Sequence, residues 1–112
     1  MDLVGKTFRA VANAASGTIN TETTMTFVSG TDPQLGVYSG GTVVQGRVIA
    51  LRKDEFAIEM LYHCLTTTGE LKAGRATGKF DFGADGQWRM FLDWQWLTGD
   101  QAAGHSEWLA ES

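Results

Sequence analysis

The chain predicts an all-β fold, a single antiparallel up-and-down β-barrel of about eight strands, and three observations carry that prediction. Apolar and polar residues alternate with a period of two along most of the chain, which sends them to opposite faces of extended segments. The 14 glycines, against a single proline, exceed the usual glycine share of about 7% and punctuate those segments with tight turns. No apolar stripe of helical spacing persists over three turns, which leaves room only for a short helix at the start or end of the chain.

The first strand, Lys6–Asn13, alternates Phe8, Ala10 and Ala12 with Thr7, Arg9 and Asn13. The second, Glu22–Ser29, sets Met25 and Phe27 against Thr24 and Thr26, and Ser29-Gly-Thr-Asp-Pro33 turns the chain into the third, Leu35–Gly40. Ser39-Gly-Gly41 leads to the fourth, Thr42–Leu51, in which Val44, Gly46 and Val48 oppose Gln45 and Arg47. The fifth, Phe56–Thr66, faces inward with Phe56, Ile58, Met60, Tyr62 and Cys64 and outward with Glu59 and His63. After Thr68-Gly-Glu70 comes the sixth, Leu71–Phe82, whose parity is ambiguous; Phe80 and Phe82 place the set Gly74, Ala76, Gly78, Phe80, Phe82 inside. Ala84-Asp-Gly86 supplies the sharpest hairpin signal and opens the seventh, Gln87–Leu97, which turns Trp88, Met90, Leu92, Trp94 and Trp96 to one side. Thr98-Gly-Asp100 precedes the eighth, Gly104–Ala110. Consecutive short-looped strands with one apolar face avoid exposed edges by closing into a barrel, with an open sandwich as the alternative.

At 112 residues the chain fits one domain, 1–112, large enough to bury a core. A net charge of −4 and the lack of any Lys/Arg cluster argue against nucleic acid or an anionic membrane as partner. No basic start followed by an apolar run opens the chain, and no stretch approaches about 18 apolar residues, so neither a secretion signal nor a membrane-spanning helix is expected. Cys64 is alone, which rules out an intrachain disulfide and suits a cytoplasmic protein.

The run Tyr38-Ser-Gly-Gly41 followed by Gly46, then Met60-x-Tyr62, Gly69-Glu70, Gly74, Asp85-Gly86, Trp94-Gln-Trp96, Gly99-Asp100 and Gly104-x-Ser106 resembles a family of small, functionally uncharacterised bacterial proteins of about this size. The resemblance covers nearly the whole chain and implies a calycin-like barrel, the type that lipocalins and streptavidin exemplify, without bringing an activity. Members of that family sometimes carry an N-acetylglutamate synthase label. Acyl-CoA acetyltransferases cradle pyrophosphate with an Arg/Gln-x-x-Gly-x-Gly/Ala loop opening a helix. The nearest run here, Arg75-Ala-Thr-Gly78-Lys-Phe80, ends in Phe inside a strand, so that activity is not expected.

Other chemistry is sparse. His63 and Cys64 are adjacent and project to opposite faces of a strand, so they do not share an ion. His105 and Glu107 share a face but lack a third ligand, and Asp93, four residues after Arg89, reads as a surface charge rather than a general base. No Gly-x-Ser-x-Gly elbow occurs, and no His is placed to activate a Ser or Thr. No catalytic residue, metal or cofactor is therefore assigned. Tyr38 stands out because Gly36 and Gly40 share its face and leave it approachable. With Met60, Tyr62, Trp94, Trp96, Ser106 and Trp108 it forms a set of apolar bodies, several with polar tips, suited to a ligand pocket.

The expected function is thus a small-molecule-binding barrel whose ligand is partly apolar or planar and not strongly anionic. An eight-stranded barrel is just wide enough either to hold one small ligand or to fill with side chains. The alternative is an interaction module with a packed core, whose outward Leu61, Leu65, Phe91 and Leu97 form a homodimer or partner surface. A third reading is an enzyme using Tyr38 or Arg75 at the barrel mouth.

Overall fold

The computed structural model describes residues 3–13, 20–30, 32–99 and 101–111. Eight strands follow one another: β1 (Thr7–Asn13), β2 (Thr24–Ser29), β3 (Gln34–Gly40), β4 (Val43–Asp54), β5 (Ala57–Thr66), β6 (Leu71–Phe82), β7 (Trp88–Trp96) and β8 (Ala103–Ala110). Each pairs antiparallel with the next and β8 returns to β1, closing the sheet and abolishing its edges. No helix occurs among the described residues, so none is long and apolar enough to cross a membrane.

The hairpins form where turn chemistry demands them. Gly41 and Thr42 make the tight β3–β4 connection between the paired Gly40 and Val43, and Gly40 and Gly41, both at positive φ, supply the backbone conformation that the bend and the ladder irregularity after Tyr38 need. In the β6–β7 turn the Gly86 N–H donates to Gly83 O at 3.0 Å and the Gln87 N–H to Asp85 Oδ1 at 3.1 Å, an Asx-type bond. The Arg89 guanidinium also grips Asp85 through both nitrogens, at 3.3 and 3.0 Å, and holds its carboxyl below the usual carboxylate range.

One end of the barrel is plugged. Phe8, Phe27, Ile58, Met60, Met90 and Trp108 are fully buried, and Phe8 packs edge-on against Phe27 at 6.1 Å and tilted against Phe80 at 5.9 Å. Leu3 joins this cluster from the segment before β1. That segment is tied down by the Gly5 N–H donating to Phe27 O at 2.8 Å and the Lys6 N–H to Leu3 O at 2.9 Å.

Strand parity fails where the ladder does. A bulge between Ala10 and Ala12 turns Ala12 outward, so the expected inward position is wrong for that residue. A second irregularity between Val43 and Gln45 puts Val43, 2% exposed, in the core and leaves Val44, 53% exposed, outside, the reverse of the expected alternation. Phe56 and Phe82 were expected inside, yet both are largely exposed. They sit at strand ends, where they flank the half-buried Trp88 at 6.0 and 5.0 Å. Parity fixes a face but not a depth, and these three rings cap the rim instead of filling the barrel.

Candidate functional site

The other end carries the β3–β4, β5–β6 and β7–β8 connections, and the aromatic residues singled out from the sequence meet there. Tyr38 comes from β3, Tyr62 from β5, and Trp94 and Trp96 from β7. Their rings are linked in a chain: Tyr38 to Tyr62 at 6.4 Å, Tyr62 to Trp96 at 5.3 Å, and Trp96 to Trp94 at 6.3 Å. The first two contacts are edge-to-face, the preferred geometry for rings with a negative face and a positive edge.

Alternate strands supply the bulk and the strands between them supply the space. Tyr38 is in register with Gly46, Tyr62 and Trp96 both with Gly74, and Trp94 with Gly104. A methyl group added at Gly74 would lie 2.6 Å from Tyr62 Cζ, and one at Gly46 would overlap the Tyr38 ring. The glycines therefore act sterically: eight strands leave no room for a large side chain at every inward position. Gly46→Ala is expected to cost about 1–3 kcal/mol, the usual range for overpacking, and urea denaturation checks it. A neutral outcome would mean that Tyr38 does not lie over Gly46.

Burial governs the polar atoms of this end. Tyr38, Trp94 and Trp96 are at most 7% exposed; among the described residues Trp94 Nε1 and Trp96 Nε1 are buried without a hydrogen-bond partner, and Tyr38 Oη is buried beside the Cys64 thiol. The titratable neighbours of Tyr38 are Cys64 and Tyr62. A thiol is a weak partner and leaves most of the hydroxyl's capacity unmet. Desolvation by burial, with Cys64 nearby, pushes the Tyr38 and Tyr62 phenols well above their ordinary range, and burial likewise raises the Cys64 thiol. The site thus presents neutral hydroxyls and indole N–H groups at physiological pH.

The remaining expected site residues lie deeper. Met60 is fully buried in the core. Ser106 and Trp108 satisfy each other, the indole Nε1–H donating to Ser106 Oγ at 2.9 Å. Sequence reasoning missed Lys72, whose Nζ stands 4.1 Å from the centroid of the Trp96 ring. Lys72 is in register with Cys64 and two residues before Gly74, so continuing the inward parity of β6 by one step would have found it.

Other candidates fall outside this end. Arg75 points outward, beside Glu59 and Asp93 on the outer wall, and not into the mouth where an enzymatic reading needs it. His63 is exposed while Cys64 is buried. Arg89 pairs with Asp85 and Glu107, and Asp93 faces His105 at 3.9 Å. Among the described residues no three His, Cys, Asp or Glu side chains come together as a metal site.

A family model described as avidin-like protein matches residues 1–111. No curated protein and no solved structure matches the chain.

Proposed function

This chain belongs to the avidin-like family, and from that premise we propose that the barrel binds a small, planar or partly apolar molecule where Tyr38, Tyr62, Trp94 and Trp96 meet. One observation carries the proposal: two buried donors at that end, Trp94 Nε1 and Trp96 Nε1, have no partner among the described residues, and Tyr38 Oη beside them has a weak one, the Cys64 thiol. A buried polar group left unpaired costs about 1–3 kcal/mol, a cost that an incoming acceptor removes. Indole N–H groups only donate, so the ligand offers carbonyl-type or similar acceptors at its edge and an apolar face to the rings. Met60 and the Ser106–Trp108 pair form the floor under it.

The test is Tyr38→Phe. Stability is expected to hold or rise, because a buried hydroxyl whose bond to the Cys64 thiol is weak is removed. Affinity for a ligand that bonds the phenol is expected to fall by about 0.5–1.5 kcal/mol, read as a weaker saturable change in tryptophan emission across a panel of planar metabolites. A clear loss of stability would show the hydroxyl already strongly paired and count against the reading.

The outer wall supports a second role. Leu35, Ile49 and Leu61 stand in one cross-strand row, 41%, 46% and 55% exposed, and with Val28 and Leu97 they line an apolar groove. Apolar surface of this kind favours association with a second copy. Leu61→Glu is expected to lower the sedimentation-equilibrium mass to that of one chain; a parent already at that mass would remove this role.

A further inference from the structure

The indole donors of the aromatic end are sealed. Trp94 Nε1 and Trp96 Nε1 are fully buried, so an acceptor arriving from solvent reaches neither until a side chain moves. Of the four linked rings, Tyr38, Trp94 and Trp96 are at most 7% exposed, and Tyr62 is half-buried. Tyr38 lies over Gly46, where a methyl group would overlap its ring, and the two indoles belong to the core. The Lys72 ammonium stands 4.1 Å from the Trp96 centroid, a position over the ring face that leaves the N–H at the ring edge to other groups. Tyr62 meets Trp96 edge-to-face at 5.3 Å and Tyr38 at 6.4 Å. Turning Tyr62 outward about its Cα–Cβ bond gives up those two ring contacts and leaves the β4–β5 and β5–β6 ladders paired. Such a local opening needs far less free energy than unfolding the barrel. The ring lies inward because Gly74, in register with both Tyr62 and Trp96, leaves it room. A methyl group at Gly74 would stand 2.6 Å from Tyr62 Cζ and Oη, the free end of the side chain, and would push the ring outward instead of shifting backbone.

We infer that Tyr62 is a gate: its ring closes the barrel mouth against Trp96, and its outward rotation admits the ligand to the buried indole donors. The inference rests on the binding reading and adds how the site is entered. Apparent affinity is then lowered by the fraction of molecules in which the gate stands open.

Hydrogen exchange at the indole nitrogens tests the gate with no ligand present. Deuterium uptake at Trp96 and Trp108 Nε1–H is followed by nitrogen–proton correlation spectra in the parent, Tyr62→Ala and Gly74→Ala, at several urea concentrations below the unfolding transition. Trp108, 1% exposed and bonded to Ser106, reports global unfolding. In the parent, Trp96 is expected to exchange faster than Trp108 through a limb that hardly depends on urea, since a ring rotation exposes little surface. In both variants that limb is expected to rise about tenfold or more, while the steep limb shared with Trp108 reports any change in global stability separately. A parent in which Trp96 and Trp108 exchange at equal rates with equal urea dependence, or a Trp96 limb unchanged in both variants, overturns the gate and leaves the binding reading standing. A urea-independent limb at Trp96 with no saturable change in tryptophan emission across the planar panel overturns the binding reading and, with it, the gate.

Discussion

Trp108→Ala is expected to lower folding stability by about 3–5 kcal/mol, the range for truncating a buried large aromatic side chain. Trp108 is 1% exposed and is in register with both Ala10 and Met90, so its removal opens a void where β8 meets β1 and β7. The change also strips Ser106 Oγ of the indole donor at 2.9 Å, which adds an unpaired buried hydroxyl to the cavity. Trp108→Phe should fall between parent and Ala, because it keeps most of the volume and loses the hydrogen bond. Urea midpoints of the three proteins settle the order. A loss under about 1 kcal/mol for the Ala variant would show that Trp108 is not part of the closed core.

The second large effect is alkaline. Burial raises the Tyr38 and Tyr62 phenols and the Cys64 thiol in the folded protein. In the unfolded chain these groups ionise near about 10 for Tyr and 8.5 for Cys. Above those values the unfolded state has released protons that the folded state still holds, so stability falls as pH rises. A group that stays fully protonated in the fold contributes a loss of about 1.4 kcal/mol per pH unit beyond its unfolded pKa. Tyr38 is expected to show that slope and the more exposed Tyr62 a smaller one. Denaturant midpoints should therefore be flat from neutrality to about pH 8 and drop steeply by about pH 11, with Tyr38→Phe flattening the drop. Equal slopes in parent and variant would mean that the Tyr38 phenol titrates as it does in water.

The closed barrel was legible because Phe8, Met25, Phe27, Met60 and Trp94 keep strict alternation, and because Gly and Asp stand where hairpins need them. The bulge at Ala10 to Ala12 and the irregularity at Val43 to Gln45 were not legible. One extra residue in a ladder depends on the partner strand and leaves no local mark. Tyr38 was recognised for a partly misplaced reason. Gly36 and Gly40 flank it along its own strand, while the glycine that accommodates its ring is Gly46, its partner across the β3–β4 hairpin. Register, which the turn at Gly41 and Thr42 sets, carries that information. Ser106 and Trp108 lie two residues apart on one strand, so the proximity of their side chains was readable, although their mutual bond was not. Lys72 was overlooked because a charged residue at an inward position reads as the end of the apolar pattern.

The four indole N–H groups provide the most direct test of binding at the aromatic end. They differ in kind: Trp108 Nε1–H is held by Ser106, Trp88 sits half-buried at the opposite rim between Phe56 and Phe82, and Trp94 and Trp96 Nε1–H are buried without partners among the described residues. In a nitrogen–proton correlation spectrum titrated with naphthalene-2-carboxylate and naphthalene-2-carboxamide, the Trp94 and Trp96 indole resonances are expected to shift saturably with at least one of the two. Trp108 and Trp88 should stay in place. Resonances of Trp94 and Trp96 that remain fixed while Trp88 alone moves, or that do not move with either compound, would contradict a binding site in this barrel.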